Sequence, residues 1–179
     1  MNTLPWTVAV LALMLGTQPP APKQIFVDRV PTPSTLEALT AKAQAVAKVR
    51  IRSVREVSFQ VDRAPRPASS FVEYQAQVLE PAKADRHLPG AGNDIKVLAV
   101  GSLQVHERDL RPFKVGEELV LFLGWVDRYD AYMVVHGPDG VFDVSRGVVQ
   151  PFGQSHVAQA QRAARADQLM TRIKQAADH

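Results

Sequence analysis

Residues 111–124 read Arg111-Pro-Phe-Lys-Val-Gly-Glu-Glu-Leu-Val-Leu-Phe-Leu-Gly124, and this stretch decides the fold. It opens with a turn at Val115-Gly116-Glu117 and closes with the strongest strand signal in the chain. Leu119, Leu121 and Leu123 alternate with Val120 and Phe122, so both faces of the strand are apolar. Successive strand residues point to opposite faces, and a strand apolar on both is covered on both. Such a strand lies at the centre of an assembly, and its neighbours have to supply the cover.

The neighbours upstream read as strands. Val49 and Ile51 alternate with Arg50 and Arg52, and Val54 and Val57 continue the apolar content past a bulge expected near Ser53. The polar loop Asp62–Ser70 interrupts. From Phe71 to Leu79, Val72, Tyr74, Ala76 and Val78 share one face, and Glu73, Gln75 and Gln77 share the other. A turn is expected at Pro81, opening a loop to Asn93. Ile95 to Val100 follows as a nearly wholly buried strand that Gly101 ends or bends, and Ser102–Lys114 is a charged connection. Downstream, Trp125–Asp130 reads as a hairpin loop, Ala131–His136 as a strand and Gly137-Pro-Asp-Gly140 as a turn. Val141, Phe142 and Val144 begin another strand, and Val148-Val149 a last short one. Strands of this length with turn signals between them predict a small barrel or sandwich.

Helices flank the strands. Ser34-Thr-Leu-Glu37 has the form of a capping box, and Leu36, Leu39, Ala43 and Val46 recur near helical spacing, which predicts a helix over Thr35–Ala45. Beyond Gly153, Ala166, Leu169, Met170, Ile173 and Ala177 form one apolar stripe, with Arg162, Arg165, Arg172 and Lys174 mostly off it. The C-terminal helix therefore packs on the strands. At the other end, the apolar run Leu4–Leu15 is short for a membrane span and has the length of a signal-peptide core. Five prolines between Pro19 and Pro33 mark a linker, with Ile25-Phe-Val27 as a potential short edge strand. The expected organisation is a signal peptide over 1–21, a Pro-rich linker over 22–33, a β domain over 34–153 and a C-terminal helix over 154–179. The expected location is exported, periplasmic or extracellular. An uncleaved N-terminal segment anchored in the inner membrane is the alternative, since Pro22 follows the small residue Ala21 and disfavours cleavage there.

Composition removes some chemistry. The 179-residue chain has no cysteine, so disulfides, thiolate metal sites, lipoprotein anchors and cysteine nucleophiles are excluded. The formal charge is +3 and the isoelectric point about 9.4, with basic residues dispersed rather than concentrated.

The order of elements between Thr35 and Val144 resembles a known group. The pieces are the helix Leu36–Val46, the strand Val49-Arg-Ile-Arg-Ser-Val54, the pattern Phe113-Lys-Val-Gly-Glu-Glu-Leu-Val-Leu-Phe-Leu123, then Tyr132-Met-Val-Val135 and Gly140-Val-Phe-Asp-Val144. Together they resemble a loosely defined group of uncharacterised exported bacterial domains, similar in turn to the OB-type barrels of netrin-like modules and tissue metalloproteinase inhibitors. The resemblance implies a mainly β fold, a small OB-like barrel of five to seven strands with one helix before it and an amphipathic helix at the C-terminus. The animal inhibitors act through an N-terminal cysteine, which this chain lacks, so that activity does not carry over.

Catalytic signatures are sparse. No Gly-x-Ser-x-Gly elbow and no His-Glu-x-x-His occur, and the five histidines are dispersed. His106, Glu107 and Asp109 share a loop that reads as solvated and polar. Glu117 and Glu118 are neighbours on a strand; one is expected to cap the turn and the other to face solvent. The expected function is that of an exported, non-enzymatic binding module for an unidentified protein or envelope component, needing no cofactor or metal. A hydrolase with a site assembled across strands is one alternative. A polyanion- or nucleic-acid-binding barrel is the other, with Arg50, Arg52 and Tyr74 as its candidate ligand face, although Tyr74 falls on the side assigned to the core.

Overall fold

The computed structural model describes residues 23–25, 32–59, 69–103, 105–107 and 110–179. The apolar run Leu4–Leu15, Phe26-Val27, most of the loop Asp62–Ser70 and the side chains of His106, Glu107 and Asp109 lie outside the described residues. The elements in chain order are β1 (Lys23–Ile25), α1 (Leu36–Lys42), β2 (Ala45–Phe59), β3 (Ser69–Lys83), β4 (Asp94–Val100), β5 (Val105–Glu107), β6 (Glu118–Val126), β7 (Ala131–Val134), β8 (Val141–Asp143), β9 (Gln150–Pro151), α2 (His156–Gln159) and α3 (Ala166–Ala177). The chain is mainly β, with one helix before the main sheet and one at the C-terminus.

Five strands close into a ring. β2 pairs with β3, β3 with β4, β4 with β7, β7 with β6, and β6 returns to β2. All these pairings are antiparallel except β4 with β7, which is parallel. β8 and β9 extend the sheet beyond β6, while β1 and β5 form a separate parallel pair.

β6 is central because its two faces serve two cores. Leu119, Leu121 and Leu123 point into the ring with Val49, Ile51, Val72, Tyr74, Val97 and Tyr132. Val120 and Phe122 point the other way, into a layer built from Leu36, Leu39, Phe142, Val149, Leu169 and Ile173. All five residues of β6 from Leu119 to Leu123 are fully buried. Each large apolar side chain buried here removes roughly 1.5–3 kcal/mol of unfavourable hydration from the folded state. The turn that feeds it is set by Gly116, whose φ of +89° suits the third position of a type II turn. Glu117 N–H donates to Lys114 O at 3.1 Å, and the Glu117 carboxylate accepts from Lys114 N–H at 2.8 Å.

A bulge in β2 falls where the sequence pattern broke. Ile51 pairs with Ala76 and Ser53 with Gln75, so Arg52 is the extra residue. The inward set therefore steps from Val49 and Ile51 to Val54. Pro81 does not end β3 as expected. It pairs with Ala47 beside a second register shift, where a missing N–H does not interrupt the ladder, and the strand runs on to Lys83.

Two helix boundaries differ from the sequence reading. Thr35, not Ser34, caps α1, its hydroxyl accepting from Ala38 N–H at 3.1 Å. The helix stops at Lys42 because Ala45 and Val46 are taken into β2. The region 154–179 is two helices rather than one. α2 and α3 are separated by residues 160–165, which include Ala163 at φ +64°. The Ala166-Leu169-Met170-Ile173 stripe is buried as read, and α1 packs against α3.

Seven residues do not hold a helix unaided. α1 is held by its buried Leu36 and Leu39 and by Lys83 from β3, whose ammonium donates to the carbonyls of Ala43 at 2.7 Å, Thr40 at 2.9 Å and Ala41 at 3.3 Å. A cation on these orphan carbonyls complements the helix dipole. Lys83→Met is expected to destabilise the protein by about 1 kcal/mol, read as a lower urea midpoint with an unchanged slope.

Candidate functional site: an aromatic cleft where β6 ends

The inward alternation of β6 continues past Leu123 to Trp125. β6 runs to Val126, so Trp125 is a strand residue and not part of a hairpin loop. Its cross-strand partner on β7 is Tyr132. The two rings meet edge to face, 5.0 Å apart at 75°. Trp125 is partly exposed, whereas Tyr132 is fully buried. The indole N–H donates to Asp127 Oδ1 at 3.0 Å, and the backbone N–H of Trp125 donates to Gln44 Oε1.

A second aromatic group reaches the indole from the β3–β4 connection. The His87 imidazole lies parallel to it, with ring centroids 4.1 Å apart and 9° between planes. Asp85 fixes this connection. Its Oδ1 accepts from the backbone N–H of His87 at 3.0 Å and of Leu88 at 2.9 Å, an Asx-type turn. The same atom accepts from the Tyr132 hydroxyl at 2.6 Å, which ties the loop to the ring. Burial, and then the Asp85 carboxylate, push the Tyr132 hydroxyl well above the usual tyrosine range. Arg86 Nε donates to His87 Nε2 at 2.8 Å.

These groups line an open cleft of about 300 Å³, at the end of the ring where β4 and β7 begin. Its polar members are Gln75, Asp94, Lys96 and Asp130. Lys96 and Asp130 are paired at 2.9 Å, while Asp94 has no ion-pair partner among the described residues. The cleft thus offers aromatic surface, carboxylate acceptors, an ammonium donor and an amide. Specific binding sites have this make-up: apolar surface with a few polar groups that fix orientation.

The residues singled out in the sequence do not assemble into a site. Tyr74 is buried inside the ring, packed on Phe113 at 4.6 Å, and burial pushes its hydroxyl up to about 12. It presents no face to a base. Arg50 is drawn to Glu118 at 2.5 Å, and Lys48 holds the same carboxylate at 2.8 Å. Arg52 is the exposed bulge residue. Farther along β2, Arg55 pairs with the buried Glu73 at 2.6 Å. Much of the basic surface of this strand is already matched by acids.

Glu117 and Glu118 have separate structural tasks. Glu117 closes the turn and pairs with Arg111 at 2.8 Å, as the turn-capping role required. Glu118 does not simply face solvent; it bridges Lys48 and Arg50. Hydrogen bonds first from Lys48 and then from Arg50 hold its carboxyl below the usual glutamate range, against a smaller opposing effect of burial. A depressed folded-state value means stability that is present at neutral pH and lost as pH falls through that value. Wild-type urea midpoints are therefore expected to fall on acidification below about pH 4.5, and Glu118→Gln to remove that part of the fall. The loss at neutral pH stays under about 1 kcal/mol, as for other solvent-accessible pairs.

Other groups are occupied. Ser145 Oγ accepts from Glu118 N–H at 3.0 Å, and Ser155 caps α2. Arg111 stacks over Phe152 at 4.4 Å beside a second cleft of about 310 Å³, but Glu117 and Asp143 already compensate its charge. Among the described residues, no group of three or more His, Asp or Glu is placed to hold a metal. Nor is any described helix long and apolar enough to cross a membrane. No family model and no curated protein matches the chain.

Sequence reasoning missed this cleft for two reasons. Trp125 was assigned to a loop, although the Leu119-Leu121-Leu123 alternation extends to it. His87 stacks on it from 38 positions away, and no local pattern encodes that contact.

Proposed function

We propose that the chain is an exported, non-enzymatic binding module of OB type, which takes its ligand at the Trp125 cleft. The observation that carries this reading is the stacked, part-exposed pair of Trp125 and His87 lining a cleft, its loop tied to the ring by the Asp85–Tyr132 hydrogen bond. Part-exposed aromatic faces beside a few fixed polar groups are the usual make-up of a ligand cleft. The ring order supports the OB-type assignment: first, second, third, fifth, fourth and back to first, with the third and fifth strands parallel. Export rests on the apolar run Leu4–Leu15 followed by the Pro-rich stretch.

A polyanion-binding strand is less well supported, because Lys48, Arg50 and Arg55 are each matched by Glu118 or Glu73. The testing experiment is cell fractionation followed by retention of envelope extract on the immobilised protein. The protein is expected in the envelope or medium fraction, and Trp125→Ala is expected to lose what the wild type retains. A purely cytosolic protein, or retention indifferent to Trp125, overturns the reading.

A further inference from the structure

We infer that the cleft binds a neutral saccharide chain, an assignment that rests on its being the binding site of the module. The argument is from charge and shape. Asp94 and Asp130 line the cleft and Asp127 holds the indole N–H beside it, so an anionic ligand meets carboxylates. Lys96 also lines it, paired with Asp130, and the chain as a whole carries a formal charge of +3, so a cationic ligand has to compete with that pair and meets an unfavourable long-range field. A ligand with no net charge avoids both costs.

The remaining surface suits a polyhydroxyl ring. A pyranose has one broad C–H face that packs flat on an aromatic ring, and its rim of hydroxyls both donates and accepts. The His87–Trp125 stack supplies the flat surface. Asp94 and Asp130 accept, Lys96 donates, and the Gln75 amide does both. The volume of about 300 Å³ lies at the lower end of the range for ligand sites, enough for a short saccharide. The cleft is open rather than enclosed, so a saccharide can enter it from solvent. Asp85 makes this surface a fixed one: it pins the His87 backbone and the Tyr132 hydroxyl at once, so little has to be ordered on binding.

The test is calorimetric titration of the full chain with the neutral tetrasaccharides cellotetraose, chitotetraose and maltotetraose, beside a tetra-arginine peptide. At least one saccharide is expected to bind with a Kd of about 1 mM or tighter. Trp125→Ala is expected to weaken it by about tenfold or more, and Asp94→Ala by a smaller factor, with both circular dichroism spectra unchanged. Absence of binding by every saccharide, or binding unaffected by Trp125→Ala, overturns the inference. So does binding of tetra-arginine in their place. If saccharides fail while envelope retention still depends on Trp125, the module stands and only its ligand class falls. If that retention fails as well, both fall.

Discussion

A chain carrying Leu121→Asp gives no cooperative unfolding transition and collects in the insoluble fraction. Leu121 has no exposed surface and lies on the inward face of β6. It is flanked across the sheet by Ala47 on β2 and Val141 on β8. Its surroundings in the ring are aliphatic and aromatic, and no cation is buried among the described residues to pair with a carboxylate. An ionised group buried in this way costs several kcal/mol even after its pKa shifts to neutralise it. A domain holds only about 5–15 kcal/mol in reserve, and the lost leucine packing adds to the deficit. Circular dichroism with urea titration reads the outcome. A soluble variant with a sharp transition shows that β6 is not the closing strand of the ring.

Phe122→Ala folds but loses about 3–5 kcal/mol in urea titration. Phe122 occupies the opposite face of the same strand, fully buried and tilted against Phe142 with centroids 5.8 Å apart. The cavity opens between the sheet and the helix layer, where α1 and α3 meet. The ring interior keeps its own side chains, so the Trp125 cleft persists and ligand retention survives below the new midpoint. A loss under about 1 kcal/mol places Phe122 outside a packed layer and contradicts the two-core description.

These two substitutions probe neighbouring residues, and the alternation that separates them was legible in the sequence. The segment Leu119–Leu123 announced a strand covered on both sides, and both covers exist: the ring interior and the helix layer. The inward face of β3, the bulge in β2 and the stripe on α3 were legible for the same reason, since each is a local periodicity. Boundaries were less so. Pro81 looked like a stop, but a register shift accommodates it, and register is a property of two strands. Thr35 took the cap from Ser34 because the packing of Leu36 and Leu39 sets where the helix begins.

The candidate site was the least legible part. Arg50, Arg52 and Tyr74 share a region of sequence but not a surface. Glu118 claims Arg50, the bulge leaves Arg52 outside, and the ring encloses Tyr74. The cleft instead unites the β3–β4 connection, the start of β4, the end of β6 and the start of β7. Its key contacts, Asp85 to Tyr132 and His87 to Trp125, span 47 and 38 positions. Side chains so distant meet only once the ring has closed, and neither propensity nor spacing records them.

Amide chemical-shift mapping of the labelled protein, with the tightest-binding of the neutral tetrasaccharides added stepwise, tests the central claim most directly. The account predicts perturbations concentrated at Gln75, His87, Asp94, Lys96, Trp125 and Tyr132, saturating together and absent from Trp125→Ala. Perturbations centred instead on Lys48, Arg50, Arg52 and Arg55, with the Trp125 cleft silent, would contradict it.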